Sequence, residues 1–152
     1  MNRELKFRAW HKHLKKMYNV CVLNMENKFV GLEGFERDCK EALGGISYGC
    51  DLEFVELMQY IGLKAKDVEI YEGDIVTSSD YPNAKVVWCN DGGVMAHFCF
   101  SLLEEFVTEK GTEDEWTIKK GGHLEANYFL DKTSEVIGNV FENPELLLEE
   151  NK

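Results

Sequence analysis

Apolar and polar residues alternate with a period of two near the start of the chain. Leu5, Phe7 and Ala9 fall on one side and Lys6, Arg8 and Trp10 on the other, the pattern of a strand with one buried face. The polar run His11-Lys12-His13 interrupts it. Alternation resumes with Tyr18, Val20 and Val22 opposite Met17, Asn19, Cys21 and Leu23, so the opening predicts a β-hairpin with a basic turn. At Phe35 the period changes. Phe35, Cys39, Ala42 and Leu43 recur at helical spacing and Gly44-Gly45 supplies a stop, which predicts a short helix over 35–43. The string LEFVELMQYIGL from Leu52 suits a strand, and its periodicity is also compatible with a helical turn around Val55 to Gln59.

Further on, Glu72-Gly73-Asp74 and Asn90-Asp91-Gly92-Gly93 are turn signals set between runs rich in Val, Ile and aromatics, predicting successive antiparallel strands. The acidic string LLEEFVTEKGTEDEWT reads as a helical turn or solvated loop. A last strand is expected over 135–141, and Pro144 suits the first position of a helical turn. The expected fold is α+β and mainly antiparallel: a small β-barrel beside an N-terminal lobe of hairpin and short helix. The boundaries fall at 1–58 and 59–148, with a tail at 149–152. No Ser/Gly/Pro-rich linker separates the lobes, so they are expected to pack as one unit.

Composition narrows the class. The 152 residues are 44% apolar with only two prolines, enough to bury a core against chain entropy. Apolar runs are far shorter than the roughly 18–20 residues that span a bilayer, and Met1-Asn2-Arg3-Glu4 leads into no signal-peptide core. A cytoplasmic protein without membrane contact is expected. Cys21, Cys39, Cys50, Cys89 and Cys99 form an odd set with no C-x-x-C pair, which suits free thiols in a reducing compartment and not a disulfide framework.

Charge raises the question of nucleic acid. The net charge is -11, yet Arg3, Lys6, Arg8, Lys12, Lys15 and Lys16 against Glu4 give the first twenty residues +5 and leave -16 elsewhere. Lys6, Arg8, Trp10, Lys12, Lys15 and Lys16 are candidates for a nucleic-acid surface, with cations for phosphates and an aromatic for base stacking. The bulk charge opposes this at long range, and a hairpin's solvent face accounts for the same residues. The cluster from Glu104 to Glu115 could instead imitate a phosphate backbone toward a host DNA-binding enzyme, although such runs are usually solvated faces.

Gly45-Ile46-Ser47-Tyr48-Gly49 matches G-x-S-x-G, but a helix precedes the match where a strand is required, so a glycine-rich loop is the better reading. For a metal, Cys89, His97 and Cys99 are the candidate set, with His123 a fourth ligand; residues 97 and 99 share a strand face and Cys89 lies across a turn. Against it, zinc sites usually carry paired close spacings, and cysteine in VMAHFCF suits a buried strand. His11 and His13 read as polar turn residues. No P-loop, dinucleotide fingerprint or zinc-protease helix occurs, so no cofactor and no enzymatic activity are expected.

Three stretches in order, RELKFRAWHKHLKKMYNV, LMQYIGLKAKDVEIYEGDIV and EVIGNVFENPELL, resemble the YopX family of phage and prophage proteins. The resemblance implies that the C-terminal barrel is of SH3 type and that Glu72-Gly73-Asp74-Ile75-Val76 enters it. It carries no catalytic residues onto this chain. Two departures concern turns: LKAKDVEIY is shorter than the family's glycine-containing version, and His11 stands where aspartate is common. The expected function is that of a noncatalytic phage or prophage accessory protein whose partner is an unknown phage or host macromolecule. Nucleic-acid binding through the hairpin, acidic mimicry and an enzyme with an unrecognised cleft are the alternatives. An exposed strand edge would also permit a homo-oligomer.

Overall fold

The computed structural model describes residues 4–90, 97–107 and 117–148. The described chain runs β1 (Phe7–His11), β2 (Lys16–Asn24), β3 (Phe29–Leu32), α1 (Phe35–Leu43), β4 (Gly49–Asp51), a 3-10 turn (Leu52–Phe54), β5 (Val55–Ala65), β6 (Val68–Tyr71) and β7 (Asp74–Thr77). It continues with β8 (Ala84–Cys89), β9 (His97–Leu102), β10 (Phe106–Val107), β11 (Thr117–Ile118), β12 (His123–Leu124), α2 (Ala126–Phe129), β13 (Glu135–Asn139) and a second 3-10 turn (Pro144–Leu147). The fold is mainly antiparallel β with two short helices. Two compact units meet at residues 60 and 61.

In the first unit β1 pairs antiparallel with β2 on one edge and with β5 on the other, while β3 joins β2 and β4 joins β3. The opening hairpin and the helix over 35–43 thus form where the sequence pattern places them. Helix α1 is bounded by two glycines in the left-handed region, Gly34 and Gly44. Gly44 donates its N–H to the Lys40 carbonyl, satisfying one of the carbonyls that a helix end leaves open. Phe35 and Cys39 lie in the buried cluster with Ala9, Tyr18, Val30, Leu32 and Val55. Burying a side chain the size of Phe35 contributes about 1.5–3 kcal/mol.

The alternation of the first strand is only partly realised. Leu5, expected inside, is 69% exposed, whereas Trp10, expected on the solvent face, is 8% exposed and His11 is buried. The last three residues of β1, Ala9, Trp10 and His11, are all buried, and a stretch of strand covered on both faces does not alternate.

In the second unit β7, β8 and β9 follow one another as antiparallel neighbours, with β12 beside β9 and β13 beside β7. Gly73, in the left-handed region, makes the β6–β7 turn. Asp74, fully buried, accepts the Tyr71 N–H at 2.8 Å, so the Glu72-Gly73-Asp74 turn closes on its own backbone as its residues predict. Val76, Ala84, Val86, Phe100, Leu102 and Phe129 belong to one buried cluster, in which the Phe100 and Phe129 rings stack at 4.6 Å. Among the described residues the sheets are open and no closed barrel occurs, so the barrel expected for this lobe is realised as an open five-stranded sheet. Helix α2 and strand β12 were not foreshadowed by periodicity. Each spans four residues or fewer, too short to develop a pattern.

Candidate functional site

Ordinary intra-protein contacts engage most of the basic stretch. Lys12 Nζ donates to the Glu53 carbonyl at 2.9 Å and pairs with Glu56 at 3.0 Å. Lys16 pairs with Asp38 at 2.8 Å and lies 5.3 Å from the centre of the Tyr18 ring. Lys6 pairs with Glu4 at 3.2 Å and lies 5.6 Å from the Tyr60 ring centre. Arg8 reaches the Met58 sulfur at 3.7 Å, and Trp10 is buried. Lys15 holds the turn with φ 52° and donates its N–H to the His11 carbonyl. A nucleic-acid interface needs its cations turned toward phosphate and its aromatic open to a base; here three lysines meet carboxylates and the tryptophan is covered.

His11 has a structural part. Its Nδ1 accepts the Leu14 N–H at 3.2 Å, and its ring stacks on Phe35 at 5.4 Å. Nδ1 as acceptor requires the neutral tautomer with the proton on Nε2. Burial first and the neighbouring His13 second hold the His11 pKa below the usual histidine value. His11 thus ties down the turn that follows it by accepting a backbone N–H three residues on, a local side-chain-to-backbone bond of the kind that short polar side chains also make in turns.

Beside it, Asp38 on α1 accepts from the Tyr18 hydroxyl at 2.6 Å and from Lys16. These two hydrogen bonds lower the Asp38 pKa, while burial and the Asp38 contact raise that of Tyr18. Burial pushes the Cys50 thiol up to about 11, so it is not a reactive thiolate. Ser47 closes a turn: its hydroxyl donates to the Gly49 carbonyl at 2.6 Å and accepts the Gly49 N–H at 3.3 Å. The segment leads from α1 into β4, the reverse of a nucleophile elbow.

A different group of predicted residues converges in the second unit. In the β8–β9 register Cys89 opposes His97 and Val87 opposes Cys99, and His123 on β12 opposes Ser101 on β9. By strand parity Cys89, His97, Cys99 and His123 therefore share one face, opposite the face that carries Val86, Phe100 and Leu102. Cys89 and Cys99 are buried and joined as a disulfide, where free thiols were expected, because the register sets them on one diagonal of the hairpin with Cα atoms 6.3 Å apart. His123 Nδ1 lies 3.3 Å from Cys89 Sγ. Cys89, Cys99 and His123 bring their ligand atoms within 4.8 Å of one another, and His97 is not in that group.

Asp131 is a site that sequence spacing did not single out. Its carboxylate accepts from Ser78 and Ser79 on the loop after β7 and from Thr133 and Ser134 on its own loop before β13. The Thr133 hydroxyl and the Ser79 N–H hold its pKa below the usual carboxylate range. Its partners lie up to 53 residues away, a separation that no local motif records. Of the acidic string, Glu104 and Glu105 are exposed, and Glu109, Glu113, Asp114 and Glu115 lie outside the described residues. No described helix is long and apolar enough to cross a membrane.

The comparisons agree with this fold. A family model described as YopX protein matches residues 6–148. No curated protein matches the sequence. Among solved structures, protein EF1440 from Enterococcus faecalis is similar with a TM-score of 0.56 at 23% identity, over 97% of this chain and 100% of that one.

Proposed function

Because the chain belongs to the YopX family, we propose that it is a noncatalytic phage or prophage accessory protein that binds another protein in the bacterial cytoplasm. The carrying observation is a sheet edge in the first unit, at β4. Strand β4 is the outermost strand of the order β4-β3-β2-β1-β5-β6, and the residues leading into it, Ile46 and Tyr48, are 72% and 71% exposed. An open strand edge beside exposed apolar side chains is the surface that β-strand addition uses, with the backbone supplying affinity and flanking pockets supplying selectivity. The net charge of -11 favours a partner segment carrying apolar and cationic residues.

The second unit we read as an opened SH3-type barrel. Five of its strands form one sheet in the order β13-β7-β8-β9-β12, with the short helix α2 before the last strand in sequence. Barrels of this kind present loops and edges to partners, an argument from fold analogy that leaves β4 as the specific prediction.

The test is retention of host or phage proteins by the full chain and by an Ile46→Ser/Tyr48→Ser variant, followed by reconstitution from purified components. A protein that binds directly and loses at least tenfold in affinity with the variant supports the reading. A partner held equally by both forms, or retention of nucleic acid alone, overturns it.

A further inference from the structure

We propose that Cys89, Cys99 and His123 form a binding site for one divalent cation of the zinc class when the two sulfurs are present as thiolates. The three donors come from three adjacent strands, β8, β9 and β12, and share one sheet face. A sheet fixes such positions more closely than a loop does. Two thiolates and an imidazole are the ligand types that zinc prefers to hard, oxygen-seeking cations.

The spacing agrees. Tetrahedral zinc, with Zn–S about 2.3 Å and Zn–N about 2.0 Å, sets a sulfur and a nitrogen about 3.5 Å apart. Cys89 Sγ and His123 Nδ1 are 3.3 Å apart already. The two thiolates would stand about 3.8 Å apart on the same ion, which side-chain rotation allows across a Cα separation of 6.3 Å. The burial is also informative: both cysteines are buried while His123 is exposed. An ion there enters from the His123 side and leaves its fourth position to water or to His97, which opposes Cys89 on the same face.

The chemistry balances through a reduction that precedes binding. A trialkylphosphine attacks the disulfide, and water then supplies the oxygen of the phosphine oxide and the two protons of the Cys89 and Cys99 thiols. Zinc binding releases those two protons as the thiolates coordinate, so affinity rises with pH.

The experiment uses the full chain reduced with phosphine in the absence of oxygen and titrated with zinc against a coloured chelator. Native mass spectrometry counts the bound ions, and cobalt substitution reports thiolate ligation as a near-ultraviolet charge-transfer band. One zinc per chain is expected, weakened at least about tenfold by Cys99→Ser and by His123→Asn, and unchanged by Cys50→Ser. Alkylation of Cys89 and Cys99, but not of exposed Cys21, should slow when zinc is present. If Cys99→Ser does not fold, His123→Asn decides alone, because His123 is exposed and its loss opens no core cavity. Absence of stoichiometric zinc in the reduced protein, or affinity that survives His123→Asn and lacks the cobalt–thiolate band, overturns the proposal.

Discussion

Replacing Gly138 by alanine tests the packing of the C-terminal segment at one atom. A Cβ built at this position would lie 2.5 Å from Asn143 Oδ1, 2.8 Å from its Cγ and 2.9 Å from Leu146 Cδ1. Moving these groups has structural cost. Asn143 Oδ1 accepts the Asn139 N–H at 3.4 Å, and Asn143 N donates to the Asn139 carbonyl at 2.9 Å. Asn139 in turn accepts the N–H groups of Phe141 and Glu142 through its own side chain. The position also adjoins the irregularity where the β13 register against β7 skips Ile137, so the strand cannot slide to make room without breaking its pairing. Overpacking of this kind costs about 1–3 kcal/mol. For a chain of this length each kcal/mol lowers Tm by about 2–4 °C, so the expected loss is about 4–8 °C for a cost near 2 kcal/mol. Differential scanning calorimetry of Gly138→Ala beside Gly45→Ala, where nothing lies within 4 Å, measures it. A Gly138→Ala transition within 1 °C of wild type would refute the packing argument.

Two further outcomes follow from local geometry. The folded-state pKa of His11 lies below its unfolded value, so the unfolded chain takes up the proton first as pH falls through about 6.5. The His11 contribution is then present above that value and is lost as pH falls below it toward the lowered folded-state pKa; in His11→Asn, urea midpoints should show a shallower decline with falling pH, and an unchanged slope would remove His11 as its cause. The β5–β6 turn places Lys66 and Asp67 both at positive φ, 45° and 67°, without a glycine. Asp67→Gly should therefore raise stability by about 0.5–1 kcal/mol, seen as a higher urea midpoint at constant slope; a lower midpoint would contradict the strain.

The contrast between what the sequence disclosed and what it hid is physical. Helix α1 and the Gly73 turn were legible because glycine stops and a left-handed turn are local requirements of the backbone. The shortened LKAKDVEIY loop was legible as a departure, and Lys66 and Asp67 give its form: a two-residue turn of the kind that usually recruits glycine. Trp10 and His11 were misplaced because the covering of a strand's faces depends on neighbours distant in sequence, such as Phe35, on which the His11 ring stacks. The meeting of Cys89, Cys99 and His123 needed the register of three strands, which one-dimensional spacing suggests but does not fix, and the disulfide between the first two was not foreseen. The carboxylate of Asp131 gathers four residues from two loops: Thr133 and Ser134 are a local turn pattern, whereas Ser78 and Ser79 are brought in only by the fold.

The basic opening is either a part of the fold or a grip for nucleic acid. Fluorescence anisotropy of labelled single- and double-stranded DNA and RNA, at low and physiological salt, decides it directly, with Lys12→Gln/Lys15→Gln/Lys16→Gln as the comparison. The contacts of Lys12 with Glu53 and Glu56 and of Lys16 with Asp38, in a chain of net charge -11, predict no binding even at low salt. Salt-sensitive binding by the wild type that disappears in the triple variant would contradict the account and make the hairpin the functional surface.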